Sequence, residues 1–581
     1  MRNSYFHKMG FIRMTKGLII GLLIMVVLSP SSSTASNGIA SSVCGGNSAP
    51  STSAPINLAL HKSYTIATTA PDEAFASGDA NYPDGGKLTD GVFGSDQGWW
   101  SAGWLGWARQ DTRQIVIDLE SVSTVNSIRM RFFQERQSAV LFPSQVKFEL
   151  STDRVNWFVL GNASAGIPND QEGTLTEWIT LPDLNHAGRY IRVTVPVRKW
   201  VFADEIEVSG HIGKVNNAVQ PIGSPDNALN KGYLDSDTRQ ILIYTGYNPA
   251  NPDFVNWTAE HFKPYAGYVD VNGTIQDTMF NSFLFLPFEA AAPSGNRYDG
   301  AGGTTRADWQ YFLDQLFASG KQIDALNDAV GEVRTALGNT LFTPTVYISI
   351  PYPAEASTGW GDINQDGVVD ELDGFKPGTN VDEVTALNNR AAAIQWYVDE
   401  VESRFAAGLY SNLKLEGFYW LSEAIDYEFG PNEMSLLQQV SDLLHNQNYK
   451  FEWIPYYQAS GFQDWEQAGF DAALMQPNHM FDQTSYSRIT GTANLAKRFG
   501  MGIEIEMDAT MHLQGERDRY YDYLDGGVEY GYMNGAYLAW YDWVKHLHAL
   551  SGSIYGDIRE VYDETYRFIK GTYVARACRV N

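Results

Sequence analysis

Leu415-Glu416-Gly417-Phe418-Tyr419-Trp420-Leu421-Ser422-Glu423 and Met501-Gly502-Ile503-Glu504-Ile505-Glu506-Met507-Asp508 are two short apolar runs that carry carboxylates at their ends. Six further strand-like runs accompany them, at 241–245, 281–286, 345–350, 451–457, 473–478 and 536–541. Helical periodicity fills most of the gaps, at 309–318, 381–407, 433–445, 493–499 and 517–529. Strands that alternate with helices are parallel strands with crossover helices. Eight such units over 228–578 predict an α/β (β/α)8 TIM barrel. In that architecture the chemistry sits at the C-terminal ends of the strands.

Two carboxyl groups facing each other are what glycoside hydrolysis needs. One protonates the leaving oxygen, and the other attacks the anomeric carbon or activates water. Glu423 lies just past the fourth run and is the expected general acid/base. Burial near aromatic groups such as Trp420 raises a glutamate's pKa and keeps a proton available. Glu504, Glu506 and Asp508 share one strand face, because side chains alternate. Glu506 is the expected nucleophile, Asp508 its alternative, and Glu504, deeper on that face, a structural group. Trp540, at the end of the eighth run, is expected to stack on sugar. Tyr456, Tyr457, Gln476, Asn478 and His479 end the fifth and sixth runs and are expected to contact hydroxyls or pack the barrel mouth.

The loop Gly361-Asp362-Ile363-Asn364-Gln365-Asp366-Gly367-Val368-Val369-Asp370-Glu371-Leu372-Asp373 interrupts the barrel pattern. Oxygen side chains at Asp362, Asn364, Asp366, Asp370 and Asp373, with the Val368 carbonyl and a turn glycine at 367, have the spacing of a calcium loop. It resembles the dockerin-type variant of the EF-hand, in which Asp closes the loop. A docking module carries two such repeats. The single copy at 361–373 is therefore expected to be a structural calcium clip, with no protein partner implied.

Residues 56–212 have a different character. Short alternating runs at 114–119, 127–132, 146–150 and 190–195, separated by turn residues, predict an antiparallel β-sandwich. Asn57-Leu58-Ala59-Leu60-His61-Lys62-Ser63-Tyr64, Leu88-Thr89-Asp90-Gly91, Ile117-Asp118-Leu119, Ser151-Thr152-Asp153-Arg154-Val155-Asn156-Trp157 and Asp204-Glu205-Ile206-Glu207-Val208 follow in order. Together they resemble a discoidin, or F5/8 type C, domain of the galactose-binding-like fold. That resemblance implies a carbohydrate-binding module with a structural calcium, for which Asp90 and Glu205 are the expected ligands. Trp99, Trp100, Trp104 and Trp107 form a loop cluster that would supply ring faces for a sugar.

Outside these two regions the chain reads simply. Lys8, Arg13 and Lys16 precede an apolar core from Gly17 to Leu28 and the small residues Ser33-Thr34-Ala35, so 1–35 is an expected secretory signal. Residues 36–55 are a flexible lead-in and 213–227 a linker. No segment of the mature chain reads as a membrane span. The formal charge of −27 argues against nucleic acid, which requires clustered basic surface. Only Cys44 and Cys578 are present, and whether they pair is left open.

The region 220–575, with Ile243-Tyr244, Phe418-Tyr419-Trp420-Leu421-Ser422-Glu423 and Glu452-Trp453-Ile454-Pro455-Tyr456-Tyr457, is similar to the bacterial DUF4855 family. An acid from the fourth strand and a nucleophile from the seventh also resemble the large clan of retaining barrel glycosidases. That clan usually ends its fourth strand in Asn-Glu, where this chain has Ser422-Glu423. The expected function is a secreted or surface-held glycoside hydrolase acting on a polysaccharide. The rival readings are a non-catalytic glycan-binding adhesion protein and a polysaccharide lyase.

Overall fold

Eight parallel strands close into a barrel in the computed structural model: β1 (Arg239–Thr245), β2 (Ser282–Pro287), β3 (Thr345–Ile350), β4 (Lys414–Trp420), β5 (Lys450–Trp453), β6 (Ala472–Met475), β7 (Gly502–Glu506) and β8 (Leu538–Tyr541). β1 pairs with both β2 and β8, which completes the ring. The structure describes residues 54–576 apart from 170, 226–229, 301, 379, 426–431 and 483. The expected signal, most of the lead-in, Cys44 and Cys578 lie outside the described residues. Within them, no helix is long and apolar enough to cross a membrane.

All eight runs become strands, but several end earlier than their apolar pattern does. β5 stops at Trp453 and β6 at Met475, short of Pro455 and Pro477. A proline has no N–H to give to the ladder, so each strand closes before it. Helices Arg306–Leu316, Glu383–Gly408, Asn432–Asn446, Ser487–Phe499 and Gln514–Tyr530 stand where periodicity placed them. Helices Ala259–Ala266, Gln322–Leu337 and Gly556–Ile569 and the hairpin Gly267–Val269/Ile275–Thr278 are further elements of the barrel region.

Strand register decides which side chains enter the barrel. Partners in adjacent parallel strands point to the same side of the sheet. Around the ring Gln240 pairs with Ser282, Ser282 with Thr345, Tyr347 with Gly417, Tyr419 with Glu452, Glu452 with Ala472, Leu474 with Gly502, and Glu504 with Ala539. Gln240 reaches across the interior to Glu452 (2.8 Å), and Tyr537 donates to the other Glu452 oxygen (2.8 Å). This set is therefore the inward one. Burial holds the Glu452 carboxyl up to about 8, so it sits in the barrel floor as a neutral, hydrogen-bonded acid.

One irregularity sets the parity of β4. Val346 pairs with Leu415 but Tyr347 pairs with Gly417, so Glu416 is an extra residue. Such a bulge moves every later side chain to the other face. It is what turns Tyr419 inward and Phe418 and Trp420 outward. Gly417 is required there: a Cβ would lie 2.2 Å from the Lys450 carbonyl oxygen.

The N-terminal region is an antiparallel sandwich organised by one long strand, Thr112–Glu135. Its first part pairs with Tyr64–Thr68 and His186–Pro196, and its second with Thr174–Leu181 and Trp200–Ile212. The sequence pattern reads this strand as two, 114–119 and 127–132. The register with His186–Pro196 breaks between Asp118 and Thr124, where Glu120 adopts a left-handed backbone, and pairing with that strand resumes at Thr124 and Val125. Its core includes Ile115, Ile117, Ile128, Met130, Phe148, Ile191 and Val193. Trp104 and Trp107 are buried, which removes both from the expected sugar-facing cluster.

Sandwich and barrel form one compact unit. Ala70 of the sandwich packs into the barrel's own hydrophobic core. Gly417→Ala should cost about 1–3 kcal/mol of stability through the collision with the Lys450 carbonyl. Urea unfolding of the full chain measures this, and a change below about 0.5 kcal/mol would show that β4 tolerates the shift.

Candidate active site

Glu423 stands just beyond β4, exposed to solvent at the C-terminal mouth of the barrel. Gln476, just past β6, donates from Nε2 to Glu423 Oε1 (3.0 Å) and to the Ile454 carbonyl (2.9 Å). Gln476 is buried, so it is a fixed donor. Its own Oε1 accepts from Asn478 Nδ2 (3.3 Å). The Asn478 backbone N–H then donates to Glu506 Oε1 (2.9 Å). A continuous relay thus joins the ends of β4, β6 and β7, and Glu423 with Glu506.

Glu504 lies inward of Glu506 on the same face of β7. Its carboxyl feels the charges of both Glu506 and Glu423, and burial above all drives its pKa well up. Among the described residues its carboxylate accepts no hydrogen bond. Glu506 is more firmly held. Tyr523 donates to Glu506 Oε2, and the Met480 N–H approaches the same oxygen at 3.4 Å. Asp508 is half-buried just past the strand, accepting from Thr510 Oγ1 (3.1 Å). Although Glu423 reaches solvent at the rim, the protein crowded around it weakens the hydration of its charge and holds its pKa up to about 7, against the lowering effect of Gln476; Asp299 raises it further and Arg297 lowers it. A carboxyl of that kind is half-protonated near neutrality, which suits an acid that must both give and take a proton.

The aromatic wall differs from the one expected. Trp540 is fully buried and faces the helices, edge-on to Phe280 and Phe568. It pairs with Ile505 on the outward parity, so it cannot stack on a ligand in the mouth. Trp420 is outward for the same reason, packed on Tyr352 and Phe451. The rings that do line the mouth are Tyr244, Tyr419 and Tyr541 on the inward parity. Trp543 and Phe481 pack against Tyr541. Trp543 is half-buried and has φ +62. A non-glycine residue in that region is strained, and such residues cluster at functional sites.

Three other expected contacts lie elsewhere. His479 is buried, with Nδ1 on the loop residue Thr484 (2.9 Å) and Nε2 on Asp522 of helix Gln514–Tyr530 (3.1 Å), so both ring nitrogens are committed. Tyr456 accepts from Arg109 of the sandwich (2.7 Å). The Tyr457 ring lies under Arg488 (4.1 Å). Tyr456 therefore belongs to the seam between the two domains, and Tyr457 packs against the helix Ser487–Phe499. Tyr541 and Trp543 were detectable from β8 parity alone, but Arg297 and Asp299, in the segment after β2, have no sequence signal.

In the sandwich Glu205 is fully buried. Its Oε2 accepts from the Gly91 N–H (2.9 Å), and its Oε1 has no hydrogen-bond partner among the described residues. Burial pushes its pKa up to about 8, and neighbouring Asp90 raises it further. An orphaned buried oxygen beside a second carboxylate fits a bound cation. In the 361–373 loop, Gly367 makes the sharp turn at φ +89. Asp373 is buried and accepts from the N–H groups of Ile363, Asn364 and Asp370 (2.7–3.1 Å), while Asp362 accepts from Asp366 and Gly367 (3.1 Å each). Among the described residues no group of three or more His, Cys, Asp or Glu side chains is gathered to hold a metal ion.

Gln476→Ala removes the donor that lowers the Glu423 pKa and should move its titration upward from about 7. Carbon-13 NMR of the labelled carboxyl reads this directly, and a midpoint that stays put or falls would remove Gln476 from that role.

Residues 68–206 match the F5/8 type C domain, and residues 239–567 match the family described as Domain of unknown function (DUF4855). No match to a curated protein was found. Among solved structures the chain is similar to chitosan-binding module 1 of a chitosanase/glucanase from Paenibacillus sp. IK-5, at 22% identity over 27% of this chain and 99% of that one, with a TM-score of 0.18. It is also similar to the C-terminal domain of a chitobiase from Bacteroides fragilis, at 20% identity over 28% and 100% of the two chains, with a TM-score of 0.20. A GH29 fucosidase from Ruminococcus gnavus shares 16% identity over 27% of each chain, with a TM-score of 0.19. Each likeness spans little more than a quarter of the chain. The DUF4855 match takes in more than half of it and coincides with the closed barrel, and the chain therefore belongs to the DUF4855 family.

Proposed function

We propose that the chain is an exported glycoside hydrolase acting on a polysaccharide, with the barrel as catalytic domain and the sandwich as glycan-binding module. The observation that carries this reading is the relay Glu423–Gln476–Asn478–Glu506 at the barrel mouth. It joins an exposed carboxyl held near pH 7 to a buried carboxylate held by hydrogen bonds, beneath a wall of tyrosines. Glu423 protonates the glycosidic oxygen as the bond to the anomeric carbon breaks, and the bonding pair leaves with that oxygen. Glu506 attacks the anomeric carbon or activates the incoming water; Asp508 and Glu504 are the alternatives for that step. Export rests on the pattern of residues 1–35.

The sandwich reading rests on exposed aromatic surface. Trp100 is 64% and Phe93 53% exposed, with Trp178 edge-on to Phe93. Rings so placed offer faces to the C–H side of a sugar. Calcium belongs to the same proposal in two places. Asp90 and Glu205 would hold one ion in the sandwich. Asp362, Asn364, Asp366, the Val368 carbonyl, Asp370 and Asp373 would hold another beside the barrel. Each ion would be structural, tying loops together through hard oxygen ligands.

A glycan panel assayed with wild type, Glu423→Gln, Glu506→Gln, Glu504→Gln and Asp508→Asn tests the chemistry. Turnover should fall by about 10²–10⁴-fold in Glu423→Gln and in the variant lacking the second carboxylate. Unchanged turnover in both Glu423→Gln and Glu506→Gln would remove the site assignment. Affinity without turnover in wild type would favour an adhesion protein, and an ultraviolet-absorbing unsaturated product a lyase.

Thermal melts with and without a chelator test the metal. With a folded pKa near 8 in the absence of a cation, Glu205 stabilises the fold fully below its unfolded value of 4.5 and loses that contribution as pH rises through 8. A cation replaces the proton, so chelation should lower the Tm more at pH 8 than at pH 6, and added calcium should restore it. A chelator that leaves the Tm unmoved at both values would remove calcium from the proposal.

A further inference from the structure

The segment 454–464, after β5, lies between the sandwich and the candidate active site and bonds to both. On its outer side, Arg109 of the sandwich donates to the Tyr456 hydroxyl (2.7 Å) and lies over the Tyr456 ring (5.1 Å). Gln458 donates to the Ala70 carbonyl (2.9 Å), and Arg198 pairs with Asp464 (2.5 Å). Two further pairs fix the adjoining helix Ser487–Phe499: Arg498 with the fully buried Asp111 (2.5 Å) and Arg488 with Asp72 (3.5 Å). Asp111 also accepts from Thr69 and has φ +56, a strained backbone that only its surroundings maintain.

On the inner side, the same segment holds the residues that carry the carboxylates. The Ile425 N–H donates to the Ser460 carbonyl (2.8 Å), two residues past Glu423. Gly461 closes against Ile425, where a Cβ would lie 2.7 Å from the Ile425 Cβ, and φ +84 suits glycine alone. The Tyr457 N–H donates to Asn478 Oδ1 (3.1 Å), and the Pro455 carbonyl accepts from the Gln476 N–H (2.9 Å). The Glu423, Gln476 and Asn478 members of the relay thus lean on backbone that the sandwich holds from behind, and Glu506 joins them through the Asn478 N–H.

We propose that the sandwich is a positioning element of the barrel's site: Arg109, through Tyr456, holds the 454–464 segment in the conformation that aligns Glu423 with Glu506. This rests on the hydrolase reading only for its effect on turnover. A module that merely tethers the enzyme to a polymer would act through effective concentration, and its loss would leave a small soluble substrate untouched. A positioning element acts on the geometry itself, where displacements near 1 Å cost about 10²-fold in rate.

The test uses the full chain with Arg109→Ala and Tyr456→Phe. Hydrogen exchange is read at 422–425, 454–464 and 476–480, with β1 and β2 as internal reference. Both variants should exchange several-fold faster in those three segments and not in the reference strands. On a soluble oligosaccharide that wild type cleaves, kcat should fall about tenfold with KM and the Tm nearly unchanged. If Arg109→Ala unfolds globally, Tyr456→Phe decides, since it deletes only the hydroxyl. Unchanged exchange in the three segments would overturn the proposal, as would faster exchange spread evenly over the barrel. Locally faster exchange in a protein that cleaves no glycan would uphold the positioning role and sink the hydrolase reading alone.

Discussion

A closed ring of parallel strands admits side chains to its interior only at alternate positions, and the rest of this molecule depends on that parity. Once Gln240, Ser282, Tyr347, Tyr419, Glu452 and Glu504 are inward, the composition of the mouth is determined. The bulge at Glu416 is part of the same constraint. Without the extra residue, Phe418 and Trp420 would point inward and Tyr419 would face the helices. Small residues at Gly417, Ala472, Gly502 and Ala539 leave room on this face for the larger groups opposite. The barrel floor is closed by a neutral Glu452 with Gln240 and Tyr537. Glu504 above it is sealed from solvent, which is why burial is the leading cause of its raised pKa.

Much of the architecture is legible in the sequence because strand and helix periods are local properties. Both domain types, the eight barrel strands and the carboxylates of β4 and β7 follow from apolar spacing. Errors arise where a non-local fact decides. Trp540 and Tyr541 are adjacent, and a one-residue difference in parity separates the outward ring from the inward one. The bulge at Glu416 carries no local signature that would separate Trp420 from Tyr419. Pro455 and Pro477 are visible in the sequence, and reading them as strand ends corrects β5 and β6. No periodicity could have reassigned Tyr456 to the domain seam, because its partner Arg109 lies 347 residues earlier in the chain.

The two carboxylates of the relay are held in different ways, and the difference has chemical meaning. Glu506 accepts from the Asn478 and Met480 N–H groups, from Asn478 Nδ2 and from the Tyr523 hydroxyl, whereas Glu423 accepts from Gln476 and stands open to solvent. One group is fixed and the other retains freedom to exchange protons with water. Such division between two like groups is how a single site separates acid and base roles.

The seam between sandwich and barrel has a consequence for the history of the chain. Asp111 is sealed from water and answered by Arg498, a residue of the other domain. A buried carboxylate deprived of its counter-ion is strongly destabilising, by about 3–5 kcal/mol. Shuffling either half into a new fusion would strand such a group. Substitutions at 111 and 498 should therefore be found paired across descendants of a common ancestor rather than scattered independently.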